Sequence, residues 1–540
     1  MRYILITSII CLFQMISLTG QSNPFDIVLE AVDMDEIGGL QSYAFGQYDN
    51  KWLIIGGRLD GLHRRQPFAS FDIAGHNNQL IVVDPVTKKQ WTATLEGLPA
   101  GILEQMSSTN MEFLQEGANL FIIGGYGYSA SSQDHQTFGY LTLVDVPIVI
   151  RAIINGTSFT SFFHQFQDPD FSVTGGRLEK IDTTFYLVGG QRFSGRYNPM
   201  GPDHGPGFEQ VYANEIRKFN LAINEKDIKI KHLKSDRDTV LLHRRDYNVV
   251  PQIMPDGREG ITAFSGVFQY EFDIPYLNCV NITHQKYEVP PHFNQYYNHY
   301  HCPTLPVYSA AENNMHTVFF GGIAQYYDSL GTLVQNNNVP FVNTIARVSR
   351  DATGKMSEYK LPVEMPALLG AGAEFIPLEN IPQYRNGVLK LDSLPAGNTH
   401  VGYIYGGINS QAPNIFWVNE GEHSKASQNI FKVYIVKGGN NQLHQLNEQS
   451  TGTLHMQVYP SPFLNPDHFQ VKFHLEHPTD VHILVQDAAG KKIDEKTLVK
   501  LPAGDHLYSQ TIENPESGGT YIFTITIPNE KATQKIIIEP

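Results

Sequence analysis

The chain has 540 residues, 41% of them hydrophobic and 11% aromatic, with 46 Gly and 31 Pro. That is too long for one ordinary domain at about 150 residues each, and too rich in aromatics for a disordered chain. Lys plus Arg number 39 against 54 Asp plus Glu, a formal charge of −15 that argues against nucleic acid as a partner; three Cys exclude a disulfide-rich scaffold and a Cys-rich zinc domain.

Arg2 precedes an apolar run from Tyr3 to about Met15, followed by Ser17, Leu18, Thr19 and Gly20. A basic start, a short apolar run and small residues describe a secretory signal over 1–20. The run is shorter than the roughly 20 residues that span a bilayer. No other stretch is long and apolar enough to span, so the mature chain is expected to be exported, without a transmembrane segment. Removing Cys11 leaves Cys279 and Cys302, a pair that an oxidising compartment opens to a disulfide.

One element then recurs. Apolar β-formers end in Gly-Gly at Trp52–Gly57, Leu120–Gly125, Phe185–Gly190, Thr317–Gly322 and Tyr403–Gly407, with a degenerate Ser265-Gly266 copy. The second glycines are 68, 65, 76, 56 and 85 residues apart. Asn77, Asn214, Asn343 and Asn429 stand 20, 24, 21 and 22 residues beyond a second glycine, each opening another strand pattern. The Gly pair supplies a tight exit with φ > 0 where a side chain would clash. The strands before it are too continuously apolar for a half-exposed sheet, so both faces should be covered. Sheets stacked around an axis satisfy that requirement. No convincing long amphipathic helix interrupts the pattern.

The pattern resembles the kelch repeat, a family of β-propeller blades. The resemblance implies an all-β fold over 23–440 with six blades. The interval from Gly322 to Gly407 leaves room for a seventh. The first inner strand is placed near Tyr43–Phe45, and Phe25–Val32 should return to the last blade as its outer strand.

Three clusters could carry chemistry. His299-Tyr300-His301-Cys302 alternates two imidazoles with a phenol and a thiol, and His is the commonest metal ligand. With His400 it resembles the galactose oxidase family, also kelch-type propellers, in one respect: a Tyr-His pair with a later His. The family's second ligand Tyr has no counterpart here. His299, His301 and His400 are therefore candidate ligands, while a polar strand lining the channel is the plainer reading. The second cluster pairs His63-Arg64-Arg65 with His243-Arg244-Arg245-Asp246; paired Arg can clamp an anion bidentately or form ion pairs between blades. The third is the loop Arg192–Gly207, with Arg196, Tyr197 and His204. Tyr300, His301 and Asp246 are the candidate catalytic groups. Arg64, Arg65, Arg244, Arg245, Arg196, Tyr197 and His204 are the candidate ligand contacts. No Gly-x-Ser-x-Gly elbow, His-Glu-x-x-His, P-loop or Rossmann fingerprint occurs, and no cofactor is expected.

Residues 441–454 turn polar and read as a linker. About seven short strands follow, including the alternating Phe469–Leu475 and Val481–Val485, as in a small β-sandwich over 455–540. Tyr459-Pro460-Ser461-Pro462, Val485-Gln486-Asp487-Ala488-Ala489-Gly490, Gly519-Thr520-Tyr521 and Lys535-Ile536-Ile537-Ile538 occur in order. This series resembles the C-terminal sorting domain of the type IX secretion system of Bacteroidetes, with Ser461 where the family has Asn. The resemblance implies secretion to the cell surface or beyond, with that machinery as a partner. The expected role is binding a glycan or protein through the propeller mouth; the alternative is a carbohydrate-active enzyme, a hydrolase, epimerase or metal oxidase.

Overall fold

A computed structural model describes residues 23–438, apart from 35–36, 67, 200–207, 225–226 and 330–331, and residues 456–538, apart from 460–468, 476, 488–490, 511–518 and 529. The signal 1–20, the linker 441–454 and His204 lie outside the described residues. The chain divides into two compact units, 1–438 and 439–540.

Unit 1 is built on six antiparallel four-stranded meanders. Sheet I comprises Ala44–Tyr48, Lys51–Ile55, Gln79–Asp84 and Lys89–Thr94. Sheet II comprises Thr109–Glu116, Asn119–Ser129, Gly139–Asp145 and Phe163–Ser172. Sheet III comprises Arg177–Ile181, Thr184–Val188, Glu215–Asn224 and Asp227–His232. Sheet IV comprises Asn248–Ile253, Glu259–Phe264, Cys279–Ile282 and Tyr287–Glu288. Sheet V comprises Thr304–Ser309, Asn314–Ile323, Phe341–Arg350 and Met356–Glu364. Sheet VI comprises Ala373–Pro377, Gly397–Gly406 and Ile430–Lys437, and its outer strand is the N-terminal Asp26–Val32, paired antiparallel with Ile430–Lys437.

The strand before each Gly-Gly is apolar throughout because its two faces meet two different sheets. Successive strand side chains point to opposite faces. Leu53 and Ile55 pack in the core shared by sheets I and II, while Trp52 and Ile54 pack in the core shared with sheet VI. Likewise Phe121 and Ile123 meet sheet III, and Leu120 and Ile122 meet sheet I. Similar cores lie between III and IV, IV and V, and V and VI.

The Gly-Gly pairs dock each sheet on the next. The second glycine's N–H donates to a carbonyl in the segment that leads into the following sheet: Gly57 to Ser108, Gly125 to Val173, Gly190 to Arg244, Gly266 to His299, Gly322 to Leu369 and Gly407 back to Leu40. All these glycines have positive φ, as does Ser265 at 50°. A Cβ at Gly124 would overlap the Val173 carbonyl oxygen, so glycine is required there by contact as well as by torsion.

A helix that the strand periodicity conceals sits in this unit. Val146–Asn155 lies between the third and fourth strands of sheet II and buries Val146, Val149, Ile150 and Ile153 against the core shared by sheets I and II. Its ends are sequence-encoded. Asp145 caps it through Ile148 N, Pro147 lies in the first turn, and Gly156 follows at φ 64°. At ten residues it is too short to dominate a periodicity reading.

The disulfide that the sequence leaves open is not formed in this structure: Cys279 and Cys302 are free and buried. Asn248 Nδ2 approaches Cys302 Sγ at 3.5 Å, and Cys279 Sγ lies 3.8 Å from Met356 Sδ. Burial pushes both thiols up to about 12, so both are protonated and inert at neutral pH. We expect the mature chain to show no reactive thiol when native and two in denaturant without reductant, measured with a thiol-specific chromophore.

Unit 2 contains seven described strands in two sheets: Met456–Tyr459, Phe469–Leu475 and Gly504–Gln510 form one, and Thr479–Asp487, Lys492–Leu501, Gly519–Ile527 and Glu530–Ile538 the other. The alternating Val471, Phe473 and Leu475 share a core with Val481, Ile483, Val485, Phe523 and Ile525.

Candidate functional site

The six inner strands begin at a closed circuit of backbone hydrogen bonds. Ser42 N donates to Gly372 O (2.7 Å), Gly372 N to His301 O (3.0 Å), and His301 N to Asp246 O (2.9 Å). Asp246 N then donates to Gly175 O (2.7 Å), Gly175 N to Asn110 O (3.4 Å), and Asn110 N to Ser42 O (3.1 Å). Each sheet supplies one residue to the circuit, five from the turn before its first strand and one, Asn110, from the start of that strand. Five of the six have positive φ; His301 is the exception.

This circuit floors a cavity of about 590 Å³. Most of its wall comes from the segments between each Gly-Gly and the third strand of the same sheet. They contribute Phe71, Tyr197, Tyr212, Phe268, Tyr270 and Trp417, among others. The aromatic wall is interlocked: Tyr126 packs on Phe71 (5.1 Å) and Phe193 (5.2 Å), and Tyr212 stacks on His243 at 3.7 Å. Trp417 and Tyr270 are each 59% exposed at the rim, so large apolar faces meet solvent beside the opening. Burial, together with Arg245 and Arg58, lowers His63 to about 4, leaving it neutral.

Of the residues expected from sequence, Arg65, Arg245, Asp246, Tyr197, Tyr300 and His301 line this one cavity. Arg65 spreads over the Trp417 ring at 5.5 Å, donates to Trp417 O at 2.9 Å, and leaves Nε buried without a partner. Arg245 bonds Tyr212 Oη at 3.0 Å, pairs with Asp246 and lies 4.9 Å from the Phe268 ring centre. Burial opposes the Arg245 charge, but Tyr212 and Asp246 hold it firmly protonated.

The others fall elsewhere, and each for a visible reason. Arg244 is buried beneath Tyr276 and donates to Leu241 O, Ser265 O, and both Asn278 O and Oδ1, so it is a structural clamp rather than a ligand contact. Arg64 is exposed and is not among the residues lining the cavity; Arg196 braces the loop through Ser70 O at 2.7 Å. His299 has both nitrogens engaged, one at Gln295 O (3.0 Å) and one accepting from Gln325 N (3.0 Å), which removes it as a metal ligand. His400 packs between Tyr403 and Tyr434 and bonds Gly402 O at 3.0 Å. The three candidate His are therefore not brought together, in keeping with the plainer reading of a polar segment.

Beneath the floor, His301 Nε2 lies 2.8 Å from Glu374 Oε1. Arg177 reaches both oxygens of Glu374, at 3.2 and 3.3 Å. Burial pushes the Glu374 carboxyl up, but Arg177 and His301 overcome this and hold it at about 2. Glu112 accepts from Gly176 N at 2.8 Å, and burial pushes its carboxyl well above the usual range. The sequence reading missed Arg177, Glu374 and Trp417. A usable signal existed for Trp417, which stands in a segment that follows a Gly-Gly as most of the wall does; none existed for Arg177 and Glu374, which are 197 residues apart.

Residues 457–539 match the family model described as the secretion system C-terminal sorting domain. That match decides the compartment. The chain is a secreted protein, exported by the type IX system to the cell surface or extracellular space. Among the described residues of this secreted protein, no helix is long and apolar enough to cross a membrane. No curated protein matches its sequence. Among solved structures it is similar to the WD40 domain of SCAP from fission yeast, at 10% identity, covering 95% of this chain and 94% of that one, with a TM-score of 0.21. It is also similar to a sucrose-6-phosphate hydrolase from Lactobacillus gasseri, at 8% identity over 89% and 88% of the chains, with a TM-score of 0.24. A third is a glycoside hydrolase family 43 arabinoxylan arabinofuranohydrolase from Bacillus subtilis, at 8% identity over 93% and 96%, with a TM-score of 0.25. Likeness at these TM-scores carries no argument about fold or activity.

Proposed function

We propose that residues 23–440 form a six-bladed kelch-type β-propeller whose mouth cavity binds a glycan bearing acidic groups at or beyond the cell surface. The observation that carries this reading is the combination in one cavity of exposed flat aromatics and cations. Trp417 and Tyr270 offer faces on which sugar rings stack, and Arg65 and Arg245 offer donors for a carboxylate or sulfate. The closed circuit of six backbone bonds supports the blade number, and the docking role of Gly-Gly supports the kelch reading. Separate folding of residues 455–540 as the export module fits the sorting-domain match.

The test is a glycan array probed with the mature chain, followed by titration of the best ligand. Trp417→Ala and Arg65→Ala are each expected to weaken binding at least about tenfold, equivalent to ~1.4 kcal/mol. Silence across neutral and acidic glycans would transfer the mouth to a protein partner.

One observation favours a second reading, a carbohydrate-active enzyme. His301 borders the cavity and its Nε2 lies 2.8 Å from the buried Glu374 carboxylate, a neighbour of the kind that orients a general base. In that case His301→Ala abolishes turnover of a bound glycan while leaving its affinity largely intact; unchanged turnover excludes the role.

A further inference from the structure

A second cavity of about 280 Å³ lies on sheet V, at the opposite end of the strand Asn314–Ile323 from Gly321-Gly322. At about 3.3 Å per residue, His316 and Gly322 are on the order of 20 Å apart along that strand. His316, Arg347 and Arg350 line the cavity and are 3%, 5% and 3% exposed. Each leaves one nitrogen buried without a hydrogen-bond partner: His316 Nε2, Arg347 Nε and Arg350 Nη1. Neither Arg is within ion-pair distance of a carboxylate among the described residues. Arg350 Nη2 donates to Ile253 O at 2.7 Å, and Arg347 Nη1 to Asn23 Oδ1; both acceptors are neutral. Two buried guanidinium groups facing one cavity with neutral partners are costly unless an anion joins them.

We propose that this cavity is a binding site for a small oxyanion, a sulfate, phosphate or carboxylate group, held by Arg347, Arg350 and His316. Two carboxylates also border it, but both are engaged nearby. Glu312 accepts from Asn314 Nδ2 at 2.9 Å, and Asp351 Oδ1 accepts from Thr353 N (2.9 Å) and Lys355 N (3.0 Å). With the exposed Lys355 at the rim, the charge of the lining is net positive. Ser349 Oγ lies 2.8 Å from His316 Nδ1; when that hydroxyl donates, the proton sits on Nε2, the nitrogen free to bind the anion. Burial lowers Arg350 to about 10 and pulls Arg347 below its usual value, and a bound anion would reverse both.

The test is calorimetric titration of the mature chain with inorganic sulfate, inorganic phosphate, galactose 6-sulfate and galactose. One saturable site sensitive to Arg347→Gln is expected for the anions and none for galactose; any galactose 6-sulfate heat lost in Arg65→Ala belongs to the mouth and is subtracted. Arg347→Gln should weaken it at least about tenfold and Lys355→Ala about threefold, whereas Arg65→Ala, in the mouth, should leave it unchanged. Should Arg347→Gln not fold, Lys355→Ala decides alone, because that side chain is exposed. A sulfated sugar binding more than about tenfold tighter than sulfate assigns the site to a glycan ester; equal affinities assign it to the free ion. Absence of saturable heat up to about 20 mM, or binding insensitive to both cavity variants, overturns the proposal. The mouth reading is independent of that result.

Discussion

Gly124→Ala is expected to destabilise the mature chain by about 4 kcal/mol, and Gly117→Ala by only about 1 kcal/mol. The two positions share a positive φ, 66° and 59°. Both therefore carry the left-handed penalty of roughly 1–2 kcal/mol, partly offset by the stiffer unfolded chain. They differ in surroundings. A Cβ at Gly117 meets nothing within 4 Å, whereas at Gly124 it overlaps the Val173 carbonyl oxygen. The backbone leading into sheet III must then withdraw, stretching the 2.9 Å bond from Gly125 N to Val173 O. Overpacking of this kind costs about 1–3 kcal/mol, and the weakened bond about 1 more. Chemical denaturation of the two variants side by side checks this. Equal losses would mean that the Gly-Gly pairs serve the turn alone and not the contact between sheets.

The second large effect is expected at Glu374. Replacing it with Gln leaves Arg177 buried with half its partner and His301 without its carboxylate, at a cost of about 3 kcal/mol at pH 7. The pH dependence has a definite sign. The folded carboxyl is held at about 2, below its ordinary 4.5. Its contribution is therefore complete above about pH 4.5 and is lost as the pH falls toward 2. Wild type and Glu374→Gln should differ most at neutral pH and converge in acid. A gap that stays constant from pH 7 to 3 would show that the charge is irrelevant. Arg177→Met/Glu374→Leu, which removes both charges, should recover much of the loss, because the penalty comes from the orphaned partner rather than from the missing pair.

The wall of the mouth was partly legible beforehand. Arg65 and Arg245 stand out in the sequence as members of paired-Arg clusters, and Tyr197 as part of the long loop Arg192–Gly207. Neighbours in sequence nevertheless diverged. Arg245 lines the cavity while Arg244 is clamped under Tyr276, since consecutive residues leave a strand-like segment on opposite sides. His299 and His301 diverged although they should share a face, because the chain between them is irregular and His301 turns onto the axial circuit.

What the sequence by itself determined is everything that repeats or is local. It placed the six apolar strands, their burial on both faces, the glycines that need φ > 0, the return of Phe25–Val32 to the last sheet, and the export module with its ordered motifs. The strands, their two-sided burial and the glycines follow from side-chain periodicity or backbone torsion within a few residues, whereas the return of Phe25–Val32 and the export module follow from the resemblances to known families. Only the tertiary structure decided which polar groups meet. The pairing of Arg177 with Glu374, the separation of Cys279 from Cys302 and the joining of Arg65 to Trp417 span 197, 23 and 352 residues respectively. No local rule governs such distances, since they depend on how six sheets are brought round to face one another.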